Sequence, residues 1–303
     1  MIEAIKTGVL VVAHGTVEDL DELPAFLLQI RRGRPPGAAL VEELRHRYQA
    51  IGGSPLLATT RRQAEALSRL LELPVLVGMR FGAPTIETAL RSAAAQGLRR
   101  LVVLPLAPFS VHVYVGAVRA AAEALAPELG ERLPALAEVP PWHLEPALVE
   151  AHTDVIRPVL AKAGGGAALV LTAHSLPTVV IRGGDPYADQ VTAMAAAVAG
   201  ELGVPHRLAY QSQGADGGDW LGPDLDATLV RLKETGVSQL VVAPVGFLSD
   251  HVETLYDLDM EARARAKQLE LGWHRVPALN LHPRLIDALG AVARRQISRG
   301  AAT

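Results

Sequence analysis

Short apolar runs of five to seven residues recur along this chain, separated by longer stretches in which apolar residues return every third or fourth position. The runs lie at 8–13, 74–79, 100–106, 135–139, 167–173, 207–211, 239–245 and 275–279. Most are rich in Val, Leu and Ala, as strands buried on both faces are. Gln63-Ala-Glu-Ala-Leu-Ser-Arg-Leu-Leu71 and the segment 188–202 carry the helical period instead. Strand and helix alternate, which predicts parallel sheets covered by helices on both faces. Four strands fall in each half. The predicted class is α/β, with two similar doubly wound domains, each holding a four-stranded parallel sheet, and a cleft between them.

The halves also repeat each other in sequence. LVVLPLAPFSVHVY at 101–114 aligns without a gap on LVVAPVGFLSDHVE at 240–253. Both copies run from an apolar stretch through Pro to Ser-x-His-Val, with Ser110 and His112 in one and Ser249 and His251 in the other. One column changes its chemistry completely: Tyr114 in the first copy is Glu253 in the second. GVLVVAHG at 8–15 matches ALVLTAHS at 168–175, so His14 and His174 correspond. Pro146-Ala-Leu-Val-Glu-Ala151 likewise matches Pro283-Arg-Leu-Ile-Asp-Ala288. Two copies do not make a solenoid. They predict domains at 1–145 and 146–303, with the final helix packing back on the first. Open α/β sheets bind ligands beyond the carboxyl ends of their strands. His14, Ser110–Tyr114, His174 and Ser249–Glu253 all follow predicted strand ends, so both lobes can aim at one cleft.

Composition narrows the chemistry. The chain has 303 residues, long enough for two domains that each bury a core. No apolar run approaches the roughly 18 residues of a membrane span. The start, Met1-Ile-Glu-Ala-Ile-Lys6, lacks the basic beginning and cleavage site of a signal peptide. A cytoplasmic protein is expected. With no Cys there is no disulfide, thiolate metal site, iron–sulfur cluster or Cys nucleophile. A net charge of −3 gives no reason to expect nucleic acid as a partner.

His174, in Thr172-Ala-His-Ser-Leu-Pro177, follows a buried strand. It reads either as a structural His beside a helix-capping Ser or as an imidazole that binds metal or takes a proton. Its duplicate at His14 favours the second. Glu253, Asp257 and Glu261 are spaced to share one face of a helix starting near Ser249. They are either a solvated acidic face or carboxylates for a cation, since His with carboxylate suits Fe(II). Arg31-Arg32-Gly33-Arg34 and His46-Arg47-Tyr48 are surface charge or, through planar guanidinium groups, an anion site. Gly52-Gly-Ser-Pro55 and Gly184-Asp-Pro-Tyr187 read as turns, and Gln211-Ser-Gln-Gly214 and Trp220-Leu-Gly-Pro223 as scaffold. No phosphate-binding glycine loop and no nucleophile elbow is present.

In order and spacing these motifs resemble the ferrochelatase family, which inserts Fe(II) into porphyrins. The resemblance rests on His14-Gly-Thr16, Ile30-Arg-Arg-Gly-Arg34, Arg47-Tyr48, Ile51-Gly-Gly-Ser-Pro55 and His174-Ser-Leu-Pro177. It continues through Gly184-Asp-Pro-Tyr187, Tyr210-Gln-Ser-Gln-Gly214, Trp220-Leu-Gly-Pro223 and Val245-Gly-Phe-Leu-Ser-Asp-His-Val-Glu-Thr-Leu-Tyr256. Ile-Arg-Arg-Gly-Arg is most similar to compact bacterial members, some of which metallate coproporphyrin III rather than protoporphyrin IX. The resemblance implies two Rossmann-like domains, and His174 and Glu253 as the metal-binding and catalytic pair. Asp257 and Glu261 would continue a carboxylate path for the metal. His14, Arg31, Arg47, Tyr48, Ser54 and Tyr114 would hold the porphyrin. No cofactor beyond the substrate Fe(II) is implied. Compact members often carry Tyr where this chain has His14, and Ala-His-Gly is similar to sirohydrochlorin chelatases. A chelatase for another tetrapyrrole or metal, and a haem-binding protein without catalysis, are the alternatives.

Overall fold

The computed structural model of the chain describes residues 6–214 and 217–299. The first five residues, read above for a leader, and the middle of the Asp/Gly-rich loop lie outside the described residues. Among the described residues eight strands form two sheets. Strands β1 (Thr7–Gly15), β2 (Val75–Phe81), β3 (Arg100–Pro105) and β4 (Ala135–Glu138) make the first, in the order β2-β1-β3-β4. Strands β5 (Ala168–His174), β6 (His206–Gln211), β7 (Gln239–Ala243) and β8 (Gly272–Arg275) make the second, in the order β6-β5-β7-β8. Every pairing is parallel. The two orders are the same once the second set is renumbered, so the duplication read in sequence is a duplication of topology.

Burial explains why the inner strands were legible. Val9, Leu10, Val11 and Val12 of β1 are fully buried, as are Val170 and Leu171 of β5. Each of these strands has a partner on both sides, so only apolar side chains suit either face. The eighth strand departs from expectation: it is Gly272–Arg275, not 275–279. As an edge strand paired only with β7, it is half-buried throughout. Gly-Trp-His-Arg therefore needs no continuous apolar run. The apolar residues Val276, Ala278 and Leu279 are buried in the irregular segment that follows.

By its internal contacts the chain divides into two compact units. The first takes the chain up to Val41, Pro55–Trp142 and everything from Leu285 on; the second takes Glu42–Ser54 and His143–Arg284. Against the division expected at 145/146, the contacts change over between Trp142 and His143, with Glu42–Ser54 and the final helix grouped across it. Glu42–Ser54 goes with the second unit because Arg47 pairs there with Asp257 and Glu261. The helix Pro283–Arg299 buries Leu285, Ala288, Leu289, Val292 and Ala293. In the first unit it is held by Arg100, which donates to the carbonyls of Gln296 (2.7 Å) and Ile297 (2.9 Å). Among the described residues no helix is long and apolar enough to cross a membrane.

Candidate active site

In the second unit, β5 ends at His174, and the backbone there is fixed from several directions. Ser175, fully buried, donates its N–H to the Gln211 carbonyl (2.7 Å) and its hydroxyl to that of Leu221 (2.9 Å). Tyr187 donates its hydroxyl to the His174 carbonyl (2.9 Å). Gly246 brings the segment after β7 against the same strand, donating its N–H to Thr172 O (2.9 Å). A Cβ at Gly246 would meet Ala173 Cα at 2.6 Å, so only glycine permits that approach. The loop so pinned delivers Glu253 to His174.

His174 Nδ1 lies 3.0 Å from Glu253 Oε2, and about a third of each side chain stays exposed (33% and 34%). Burial alone would lower the His174 pKa. The Glu253 carboxylate, by charge and hydrogen bond, and Asp257 outweigh it, so the imidazole sits above its ordinary value. Glu253 lies in a helix of four residues, Val252–Leu255. His251 caps it: its Nδ1 accepts from the Glu253 N–H (3.1 Å), while Thr254 Oγ1 accepts from the His251 N–H (3.0 Å). Gln211 donates its amide to the Glu253 carbonyl (2.8 Å).

The three expected carboxylates are not carried on one regular α-helix. The helix begins at Val252 and not near Ser249, and it passes into a π-helical segment, Asp257–Ala262. There the Glu261 N–H reaches back five residues to Tyr256 O (3.0 Å), which breaks the regular spacing. Asp257 is buried and accepts from the Ser212 hydroxyl and from Arg47 Nη1 (2.9 Å). Burial pushes its pKa up to about 6, with Glu253 and Glu261 adding to the rise and Ser212 and Arg47 opposing it. Glu261 is half exposed, 3.4 Å from Arg47 Nη2. Among the described residues no three His, Asp or Glu side chains converge as a metal cluster. Of the four residues expected to bind metal, the structure pairs His174 with Glu253 and joins Asp257 and Glu261 through Arg47.

Arg47, expected on a propionate, is engaged by carboxylates of the protein: Glu43 (2.8 Å), Asp257 and Glu261. Its guanidinium also lies 4.9 Å from the centre of the Tyr256 ring. Tyr48, on the same helix Ala38–Ala50, is buried, and Ser54 follows the turn at Gly52 and Gly53.

The first unit repeats the design with other side chains. His14, at the end of β1, is exposed and meets the Phe81 ring edge-on, with centroids 5.1 Å apart. Arg31 ends the helix Leu23–Ile30. Tyr114 lies in the first turn of the helix Val111–Leu129. Arg80, near the end of β2, is a residue the sequence reading missed. Its guanidinium stands 4.8 Å from the Phe81 ring centre and 5.7 Å from that of Tyr114. Burial lowers its pKa, with Tyr114 opposing and Arg32 reinforcing the fall. Its strand-end position was the available signal. Gln211 and Ser212, read as scaffold, prove to touch Glu253 and Asp257.

Fold and site define a duplicated, doubly wound α/β protein with an imidazole–carboxylate pair where a parallel sheet presents its carboxyl edge. A family model described as Ferrochelatase matches residues 6–297. A ferrochelatase of Acidobacterium capsulatum is 35% identical, covering 97% of this chain and 95% of its own. A coproporphyrin III ferrochelatase of Anoxybacillus flavithermus is 36% identical, covering 96% of each. Among solved structures, SirB from Bacillus subtilis with Fe3+ superposes with a TM-score of 0.66 over 99% of this chain and 98% of that one. At 14% identity that likeness shows the fold alone. The chain belongs to the ferrochelatase family.

Proposed function

We propose that this enzyme inserts Fe(II) into a porphyrin in haem biosynthesis, with His174 and Glu253 as the pair that meets the metal and accepts the pyrrole protons. The observation that carries the proposal is the 3.0 Å contact between His174 Nδ1 and Glu253 Oε2 at a strand end, within a family match spanning nearly the whole chain. The reaction exchanges two N–H protons for one divalent cation and needs no electron transfer. An imidazole can receive a proton near neutral pH, and an adjacent carboxylate stabilises the imidazolium that results. With about a third of each side chain exposed, the pair is open to a substrate as well as to water. Asp257 and Glu261 fit the approach of a hydrated cation. His14, Arg31, Tyr48, Ser54 and Tyr114 are assigned to the porphyrin. Among the basic residues Arg31 is assigned to the propionates; Arg47 faces three carboxylates of the protein.

Relatives named as coproporphyrin III ferrochelatases, at 34% and 36% identity, favour coproporphyrin III as the macrocycle. The test is an anaerobic incubation with Fe(II), offering coproporphyrin III and protoporphyrin IX side by side. Faster consumption of coproporphyrin III is expected. Preference for protoporphyrin IX would overturn the substrate, and no consumption of either would overturn the activity.

A further inference from the structure

The four-residue helix carrying Glu253 opens a longer helical run that passes through Tyr256 into the π-helical segment Asp257–Ala262, and with one turn of its own it cannot fix its direction alone. Its orientation is inherited from whatever grips its ends. Asp250, just before it, is gripped from two sides. Asn280 forms a two-point clamp, accepting from the Asp250 N–H (2.9 Å) and donating from Nδ2 to Asp250 Oδ2 (2.8 Å). Arg275 Nη2 donates to Asp250 Oδ1 (2.9 Å). Its Nε lies 3.1 Å from Asp259 Oδ1, an ion pair by distance without an aligned hydrogen bond. One guanidinium therefore ties both ends of the segment that bears Glu253 and Asp257. The Arg275 and Asp250 side chains are 13% and 17% exposed, so the pair is largely withdrawn from water. Breaking such a pair is costly because the remaining charge stays buried.

Two further features tie the grip to the helix. Thr254 donates its hydroxyl to Asp250 Oδ1 (3.0 Å) while accepting from the His251 N–H, so the clamped carboxylate reaches across Glu253 into the cap. Asn280 holds a positive φ of 49°, a conformation unfavourable for most L residues and tolerated by Asn. Its N–H also donates to Leu248 O (2.8 Å), holding the backbone just upstream of Asp250.

We propose that Arg275 and Asn280 are positioning residues for Glu253, acting through Asp250 to hold the carboxylate against His174. The proposal rests on the assignment of Glu253 to metal insertion. Reacting groups displaced by about 1 Å lose on the order of a hundredfold in rate. A loosened clamp should therefore lower turnover while leaving recognition of the macrocycle intact.

Asn280→Gly is the sharpest test, because glycine accepts the positive φ and removes only the clamping side chain. Arg275→Lys keeps the charge but loses the fork. Wild type, both variants, Glu253→Gln and the exposed-pair control Arg265→Ala are compared for kcat, for the KM of Fe(II) and of porphyrin, and for folded fraction. Per folded molecule, Asn280→Gly should lose about tenfold or more in kcat, with porphyrin KM within about twofold of wild type. Arg275→Lys should fall between, and Arg265→Ala should match wild type. If kcat per folded molecule stays within about twofold of wild type in both clamp variants, or the loss is confined to porphyrin KM or folded yield, the proposal fails. Should Asn280→Gly not fold, Arg275→Lys alone decides by the same criterion. Full activity in Glu253→Gln would instead sink the underlying assignment, which separates the two failures.

Discussion

At the scale of residues, the chemistry turns on which partner each carboxylate has. Glu253 faces an imidazole; Asp257 faces a hydroxyl and a guanidinium and is buried; Glu261 is half exposed. Sequence spacing put all three on one regular helical face and could not separate their roles, because the π-helical turn that changes the spacing leaves no mark in the apolar period. Asp257 offers a test by pH. Its folded pKa is raised from 3.8 to about 6, so between those values the folded state binds more protons than the unfolded one. Stability contributed by the protonated group is present at pH 4 and is lost as pH rises to about 6. The loss is on the order of 2 kcal/mol. Urea unfolding between pH 4 and 7 should show wild type losing stability relative to Asp257→Asn across that window. Parallel curves would mean that Asp257 titrates as an ordinary surface carboxylate.

At the scale of elements, strands β1 to β7 were legible because each is built on an apolar run. Strand β8 was not, because an edge strand paired on one side can be Gly-Trp-His-Arg. His174 and Glu253 stood out because a repeat made them comparable with His14 and Tyr114. Gln211 and Ser212 stayed hidden, since their importance comes from side-chain contacts that no spacing encodes, whereas Arg80 had only its strand-end position to mark it. Gly246 is the element-level control of the site. In Gly246→Ala the new methyl would stand 2.6 Å from Ala173, an overpacking that should cost about 1–3 kcal/mol. Gly200, inside the helix Tyr187–Leu202, has open space around it. Gly200→Ala should be neutral or stabilising by up to about 1 kcal/mol. Thermal unfolding of the pair checks this; equal midpoints would remove the close approach at Gly246 from the account.

At the scale of the whole molecule, a duplicated topology carries two different chemistries. Both units set a His at the end of their central strand, but only the second puts a carboxylate in the duplicated Ser-x-His-Val column, where the first keeps Tyr114 beside Arg80. The sequence repeat revealed the duplication but not the transfer of Glu42–Ser54, which joins the second unit through contacts distant in sequence; the final helix groups with the first unit. That helix depends on Arg100 at its carboxyl end. Arg100→Met should cost about 1–3 kcal/mol and should speed hydrogen exchange in the helix before it does so in β1 and β3. Uniform exchange in all three would contradict the capping role. The central claim is that His174 and Glu253 act together on the metal, and initial rates of anaerobic Fe(II) insertion test it most directly. With folded protein held equal, His174→Ala and Glu253→Gln should each lose about a hundredfold or more, and Asp257→Asn and Glu261→Gln about tenfold or less. Comparable rates for all four variants, or insertion by His174→Ala above about a tenth of wild type, would contradict it.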